Sequence, residues 1–127
     1  MNEIAYEIRH IIMKVYTDLE QSKKLAKILS IESADMHYVL IDSDQETYSP
    51  GLGKYYGVLP SILCWSLTGL LSVLPKGTDI IKEEADTENE RYMCTVGIKD
   101  DIISTFSNNP VDACYEMILK LHELNLL

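Results

Sequence analysis

Basic residues are scarce: 11 Lys and Arg stand against 20 Asp and Glu, a net charge of −9 over 127 residues. Phosphate backbones and anionic membrane surfaces are held by clustered cations, so neither nucleic acid nor a membrane is an expected partner. Cysteine is sparser still. Cys64, Cys94 and Cys114 are odd in number and form no C-x2-C pair, which excludes a disulfide framework and the common zinc patterns and suits a reducing, cytoplasmic setting. Long solid apolar runs are missing too. The opening MNEIAYEIRHIIMK mixes acids and bases into its apolar positions, so no export signal is expected. Residues 55–75 carry no charge, but Gly57, Pro60, Gly69 and the hydroxyls of Ser61, Ser66, Thr68 and Ser72 interrupt them. A buried core helix with an entry strand or loop fits that stretch better than a membrane span.

What is present is ordinary globular composition, 46% hydrophobic and 24% charged, in a length that suits one domain over residues 1–127. The acidity is uneven: residues 1–30 hold four acids and five bases, so the remainder of the chain carries −10. Ile4, Ile8, Ile11, Ile12, Val15 and Leu19 recur at helical spacing and predict an amphipathic N-terminal helix. A boundary near residues 18–22 leads to a second short helix in which Leu25, Ile28 and Leu29 share a face. Residues 36–41 (MHYVLI) read as a strand, and residues 42–57, with Asp, Ser, Pro and three glycines, as the longest irregular stretch. Ser66 is an expected N-cap for a helix through Leu67, Leu70, Leu71 and Leu74. Three short segments after Thr78 predict an antiparallel meander, and in the second of them Tyr92, Cys94 and Val96 alternate with Met93, Thr95 and Gly97. Asn109, Pro110 and Asp112 announce the final helix as N-cap, N1 and N3.

Tests for chemistry are mostly negative. Asp42, Asp44 and Glu46 alternate as calcium ligands do, but Thr47 and Gly53 occupy the positions where that loop needs Gly and Glu. GLGKYYG (residues 51–57) matches neither phosphate-binding glycine motif, and the next helix begins too late to serve it. Among Cys64, Cys94, Cys114 and His10, His37, His122, the pair on the last helix, Cys114 and His122, is about 12 Å apart along the axis. Cys114 is also on the apolar face, so a buried inert thiol is the expected reading. No catalytic residue, cofactor or metal ligand is assigned.

Two surfaces stand out for binding. Glu83, Glu84, Asp86, Glu88 and Glu90 place five carboxylates without a base in eight residues, which reads as a solvated hairpin tip guarding a sheet edge or as an imitation of a phosphate array. Tyr48, Tyr55, Tyr56 and Trp65 gather in and after the long loop, where they either form a protein-binding patch or fold down over the core.

Three stretches, SKKLAKILSIESADM (residues 22–36), CWSLTGLLSVLP (64–75) and SNNPVDACYEMILKLHELNLL (107–127), resemble a group of small proteins encoded in prophage-like and other mobile regions of gut anaerobic bacteria. The resemblance implies a complete single-domain cytoplasmic protein of accessory type, with a host or phage protein as partner, and carries no activity or site residues. Residues 42–59 look like the least family-typical part.

The expected fold is α+β: a three- to four-stranded antiparallel meander, residues 36–41 supplying the fourth strand where there is one, with the N- and C-terminal helices packed on one face. The expected function is a small intracellular interaction protein rather than an enzyme. The alternatives are an enzyme or small-ligand binder whose polar groups converge only in three dimensions, and an acidic mimic of nucleic acid.

Overall fold

Asp18 starts the first helix. Its carboxylate accepts from the Gln21 backbone N–H at 2.8 Å while the Gln21 side chain accepts from the Asp18 N–H, a reciprocal capping box. The computed structural model, which describes residues 13–53, 61–83 and 90–127, places helix α1 at Leu19–Leu25 directly after this cap. An N-cap residue has extended backbone, and the chain before it is extended as well. Tyr16 bridges Ser66, the Thr17 N–H donates to the Trp65 carbonyl at 2.9 Å and the Leu67 N–H to the Val15 carbonyl at 3.2 Å. The amphipathic helix expected up to Leu19 is therefore corrected over residues 13–18, where Val15 is 58% exposed. Its Ile4–Ile12 portion lies outside the described residues.

Strands β1 (Met36–Asp42), β2 (Thr47–Leu52) and β3 (Ser61–Cys64) form one antiparallel sheet in the order β2-β1-β3. Strands β4 (Asp79–Glu83), β5 (Arg91–Ile98) and β6 (Asp101–Ser107) form a second, in sequence order. The α+β class and the meander stand, but residues 36–41 do not extend it. The reason is local pairing. The stretch expected to be irregular contains β2, which folds back on β1 through a four-residue turn, and β3 fills the other side of β1. With both edges of β1 occupied, the meander closes by itself.

The C-terminal helix α3 (Pro110–Glu123) begins as its sequence announces. Asn109 Oδ1 accepts from the Asp112 N–H at 2.8 Å and Pro110 occupies the first turn. It buries Val111, Cys114, Met117, Ile118 and Leu121 completely against Cys94 and Val96 of β5. Helix α2 (Leu67–Val73), capped by Ser66 Oγ on the Gly69 N–H, packs on α3. Helix α1 packs against β3 and also reaches α3: its Leu25 enters the core under α3 and Gln21 Nε2 donates to Asp112 at 2.8 Å. Leu25, Trp65 and Leu70 join the core beneath α3, while Met36, Tyr38 and Cys64 make a second, smaller cluster.

Polar stitches hold the two halves together. Buried Thr17 accepts from the Trp65 N–H at 3.2 Å and bonds Ser22 Oγ at 2.8 Å, and the Tyr38 hydroxyl donates to the Thr17 carbonyl at 2.7 Å. Lys14 reaches Asp112 on the first turn of α3 at 2.8 Å, 98 residues away. Among the described residues every buried side-chain nitrogen and oxygen has a partner, as a close-packed interior requires.

Candidate interaction surface

β5 is fully buried on one side and only partly on the other. Tyr92, Cys94 and Val96 face α3, whereas Arg91, Met93, Thr95 and Gly97 face outward. The register carries this outward face across the sheet: Ile81 of β4 lies opposite Met93, and Met93 opposite Phe106 of β6. These three form a cross-strand row in which Ile81 is 46% and Phe106 43% exposed. Ile102, opposite Gly97 on the same face, is 74% exposed. The Arg91 guanidinium stacks over the Phe106 ring at 4.0 Å and pairs with Glu83 at 3.4 Å. The arrangement forms an apolar strip with the Arg91 cation stacked on Phe106 and the Glu83 carboxylate beside it.

The candidates read from the sequence are distributed differently. Trp65 is 1% exposed: its indole belongs to the core and its N–H donates to Ser33 Oγ at 2.9 Å. That overturns its place on a contact surface, because the backbone of residues 65–67 is clamped by residues 15–17 and turns the ring inward. Tyr48 is half-buried against the Met36 and Tyr38 cluster. Glu83 is half-buried beside Arg91, and exposed Glu90 pairs with Lys82 at 3.2 Å. Tyr55, Tyr56, Glu84, Asp86 and Glu88 lie outside the described residues.

The tested chemistries resolve into structural roles. Asp42 Oδ1 accepts from the Asp44 N–H at 3.0 Å and shapes the β1–β2 turn, where Glu46 takes a left-handed φ of 50°. Among the described residues no three His, Cys, Asp or Glu side chains converge as a metal site. His37 lies over Gly51, where a Cβ would fall 2.8 Å from its Nε2, and its Nδ1 meets the Gly53 carbonyl at 2.6 Å. Gly53 itself has φ 72° and donates its N–H to the Asp35 carbonyl. The glycines thus fit β2 against β1. Asp35 in turn caps the end of α2: its carboxylate accepts from the Ser66 N–H at 2.8 Å and bonds the Ser66 hydroxyl.

All three cysteines are free and buried. Burial, with the Asp35 carboxylate nearby, pushes the Cys64 thiol up to about 12. Cys114 hydrogen-bonds Cys94, and that contact together with burial raises it, so it is held as a thiol, while His122 is exposed on the same helix. No base reaches it. Sequence reasoning did not single out Ile81, Met93, Ile102 and Phe106; the β5 alternation was the available signal, but the partners across the strands depend on register.

An open groove of about 810 Å³ runs between β6 and α3, lined by residues 104–107 on one side and by Glu116, Lys120 and Glu123 on the other, with Lys24 at its rim. No helix among the described residues is long and apolar enough to cross a membrane. Comparison of the chain with protein-family models, with curated proteins and with solved structures finds no match.

Proposed function

We propose that the chain is a small interaction domain that binds another protein through the open face of the second sheet. The observation that carries this reading is the row Ile81–Met93–Phe106, with Ile81 and Phe106 exposed and Met93 half-buried between them, continued by exposed Ile102, on a sheet whose opposite face is covered by α3. Isolated exposed apolar side chains are ordinary, but a cross-strand strip with an Arg stacked on one of its rings offers an anchor surface with a polar rim. A partner suited to it presents apolar side chains, with basic groups toward Glu83 and Glu90. A cytoplasmic setting goes with the proposal and is supported by three buried free thiols. An accessory role toward a host or phage protein follows the sequence resemblance.

The test is affinity capture from a lysate of the source organism, using the tagged chain, an Ile81→Asp variant on the strip, and a control variant, Gln45→Ala, in the exposed β1–β2 turn of the first sheet. One protein enriched by the parent chain and by the control, and lost with Ile81→Asp at unchanged circular dichroism, is the expected result. Enrichment that survives Ile81→Asp, or no enrichment by folded parent chain, refutes the reading.

A further inference from the structure

Among the described residues each sheet has two edge strands, and three of the four carry a device that discourages further pairing. β2 contains Pro50 and Gly51, and its pairing with β1 shifts register between Leu40 and Asp42. β3 has four residues and lies under α1. β4 places Asp79, Lys82 and Glu83 among its five residues. β6 has none of these. Its seven residues, DIISTFS, pair with β5 without a shift, contain no proline, glycine or lysine, and carry a single charge at the first position. A long, regular, nearly uncharged edge rich in β-branched residues is a template for another strand, and the groove beside residues 104–107 leaves that side open.

The geometry points to a second copy of this chain as the occupant: two β6 strands pair antiparallel about a two-fold axis at Ser104 and join two meanders into one six-stranded sheet. The strand is self-complementary in that register. Ile102 of each copy meets Phe106 of the other on the outer face, Ile103 meets Thr105 on the inner face, and Asp101 meets Ser107, so no like charges fall opposite each other. The pairing covers Ile102, the most exposed apolar side chain of the second sheet at 74%. Charge complementarity supports the same occupant. Although each chain carries −9, the groove wall presents Lys24 and Lys120 together with Glu116 and Glu123, so two copies meeting there bring cations as well as anions to the contact. The inference concerns the edge of the sheet; Ile102 and Phe106 belong to the proposed binding face as well, but the pairing does not depend on that role.

Light scattering coupled to size exclusion, on the full chain at about 100 µM so that a micromolar Kd is exceeded, tests it. The expected mass is twice the 14.4 kDa of one chain. Ser104 is half-buried on the outward face, where a longer polar side chain has access to solvent. In Ser104→Lys two ammonium groups meet across the axis, and in Ser104→Asp two carboxylates do, so each variant alone is expected as a monomer. Mixing the two restores the dimer as a heterodimer. Ile81, on β4 two strands from this edge, separates the modes: the edge dimer survives Ile81→Asp, whereas a dimer lost with Ile81→Asp pairs through the sheet face and overturns the inference. A monomeric parent chain, a dimer that survives Ser104→Lys, or an equimolar mixture that stays monomeric overturns the inference.

Discussion

Replacing Asp112 with Asn should cost this protein about 2 kcal/mol, an amount that can be worked out contact by contact. The carboxylate sits at the third position of α3 and accepts from Lys14 Nζ and Gln21 Nε2, both at 2.8 Å, and from Asn109 Nδ2 at 2.7 Å. Burial works against its charged form, but these donors and the Lys14 charge more than offset that and hold its pKa below the ordinary value of 3.8. The pair is about one-quarter exposed, at 27% and 26%, which discounts it toward the surface range, so the Lys14–Asp112 coupling should be about 1 kcal/mol. The remaining ~1 kcal/mol comes from the other hydrogen bonds and the charge at the helix N-terminus. Urea unfolding of the parent, Lys14→Met, Asp112→Asn and the double variant gives the coupling directly, with m unchanged. A group with a depressed folded pKa stabilises above its unfolded value and loses that contribution as pH falls through the folded one. The gap between parent and Asp112→Asn should therefore be constant from neutral pH down to about 5 and shrink below about 4. Lys14 behaves inversely: its pKa is raised, because hydrogen bonds and charge from Asp112 and Asp18 outweigh burial, so its contribution fades as pH climbs above 10.5. A coupling under about 0.3 kcal/mol, or a gap that widens in acid, refutes the reasoning.

Other expectations follow from the same packing. Gly69→Ala places a Cβ 2.5 Å from Asp35 Oδ1, a carboxylate pinned by Ser66, and should destabilise by about 1–3 kcal/mol, whereas Gly97→Ala meets nothing within 4 Å and should be neutral or gain up to about 1 kcal/mol; thermal melts compare the two. Ser66→Ala removes the α2 cap and the hydroxyl partner of Asp35, a loss of about 1–2 kcal/mol in urea unfolding. The three thiols should react with an aromatic disulfide reagent at least about a hundredfold more slowly in buffer than in denaturant, and one fast-reacting native thiol would contradict their burial. Trp65 is the only tryptophan, so native fluorescence should be blue-shifted and resist acrylamide, and an exposed-type spectrum would place residues 65–67 wrongly.

Local signals in the chain were readable where chemistry is local. Asn109, Pro110 and Asp112 marked the start of α3, Ser66 marked α2, and the alternation from Tyr92 to Gly97 marked both faces of β5. β2 was hidden because Pro50 and Gly51 are poor strand residues; the close fit of Gly51 under His37 explains the glycine there. Residues 13–18 were misread because Val15 and Leu19 continue a helical spacing, while the choice of extended backbone is made by hydrogen bonds to residues 65–67, about fifty positions away. The same distant clamp decides that Trp65 points inward. The apolar strip required register as well as pattern: Ile81, Met93 and Phe106 belong to three strands, and no periodicity in one of them reveals the other two.

The Lys14–Asp112 contact also bears on the route by which the chain folds. Joining positions 98 residues apart costs an entropy of about 4 kcal/mol, several times what the ion pair returns. It cannot act as a nucleus. It can form only after the hairpins and α3 have already brought its ends together, and so it contributes little to the transition state. Its loss should accelerate unfolding and leave the refolding rate nearly unchanged, which makes the clasp a brake on opening rather than a guide to assembly.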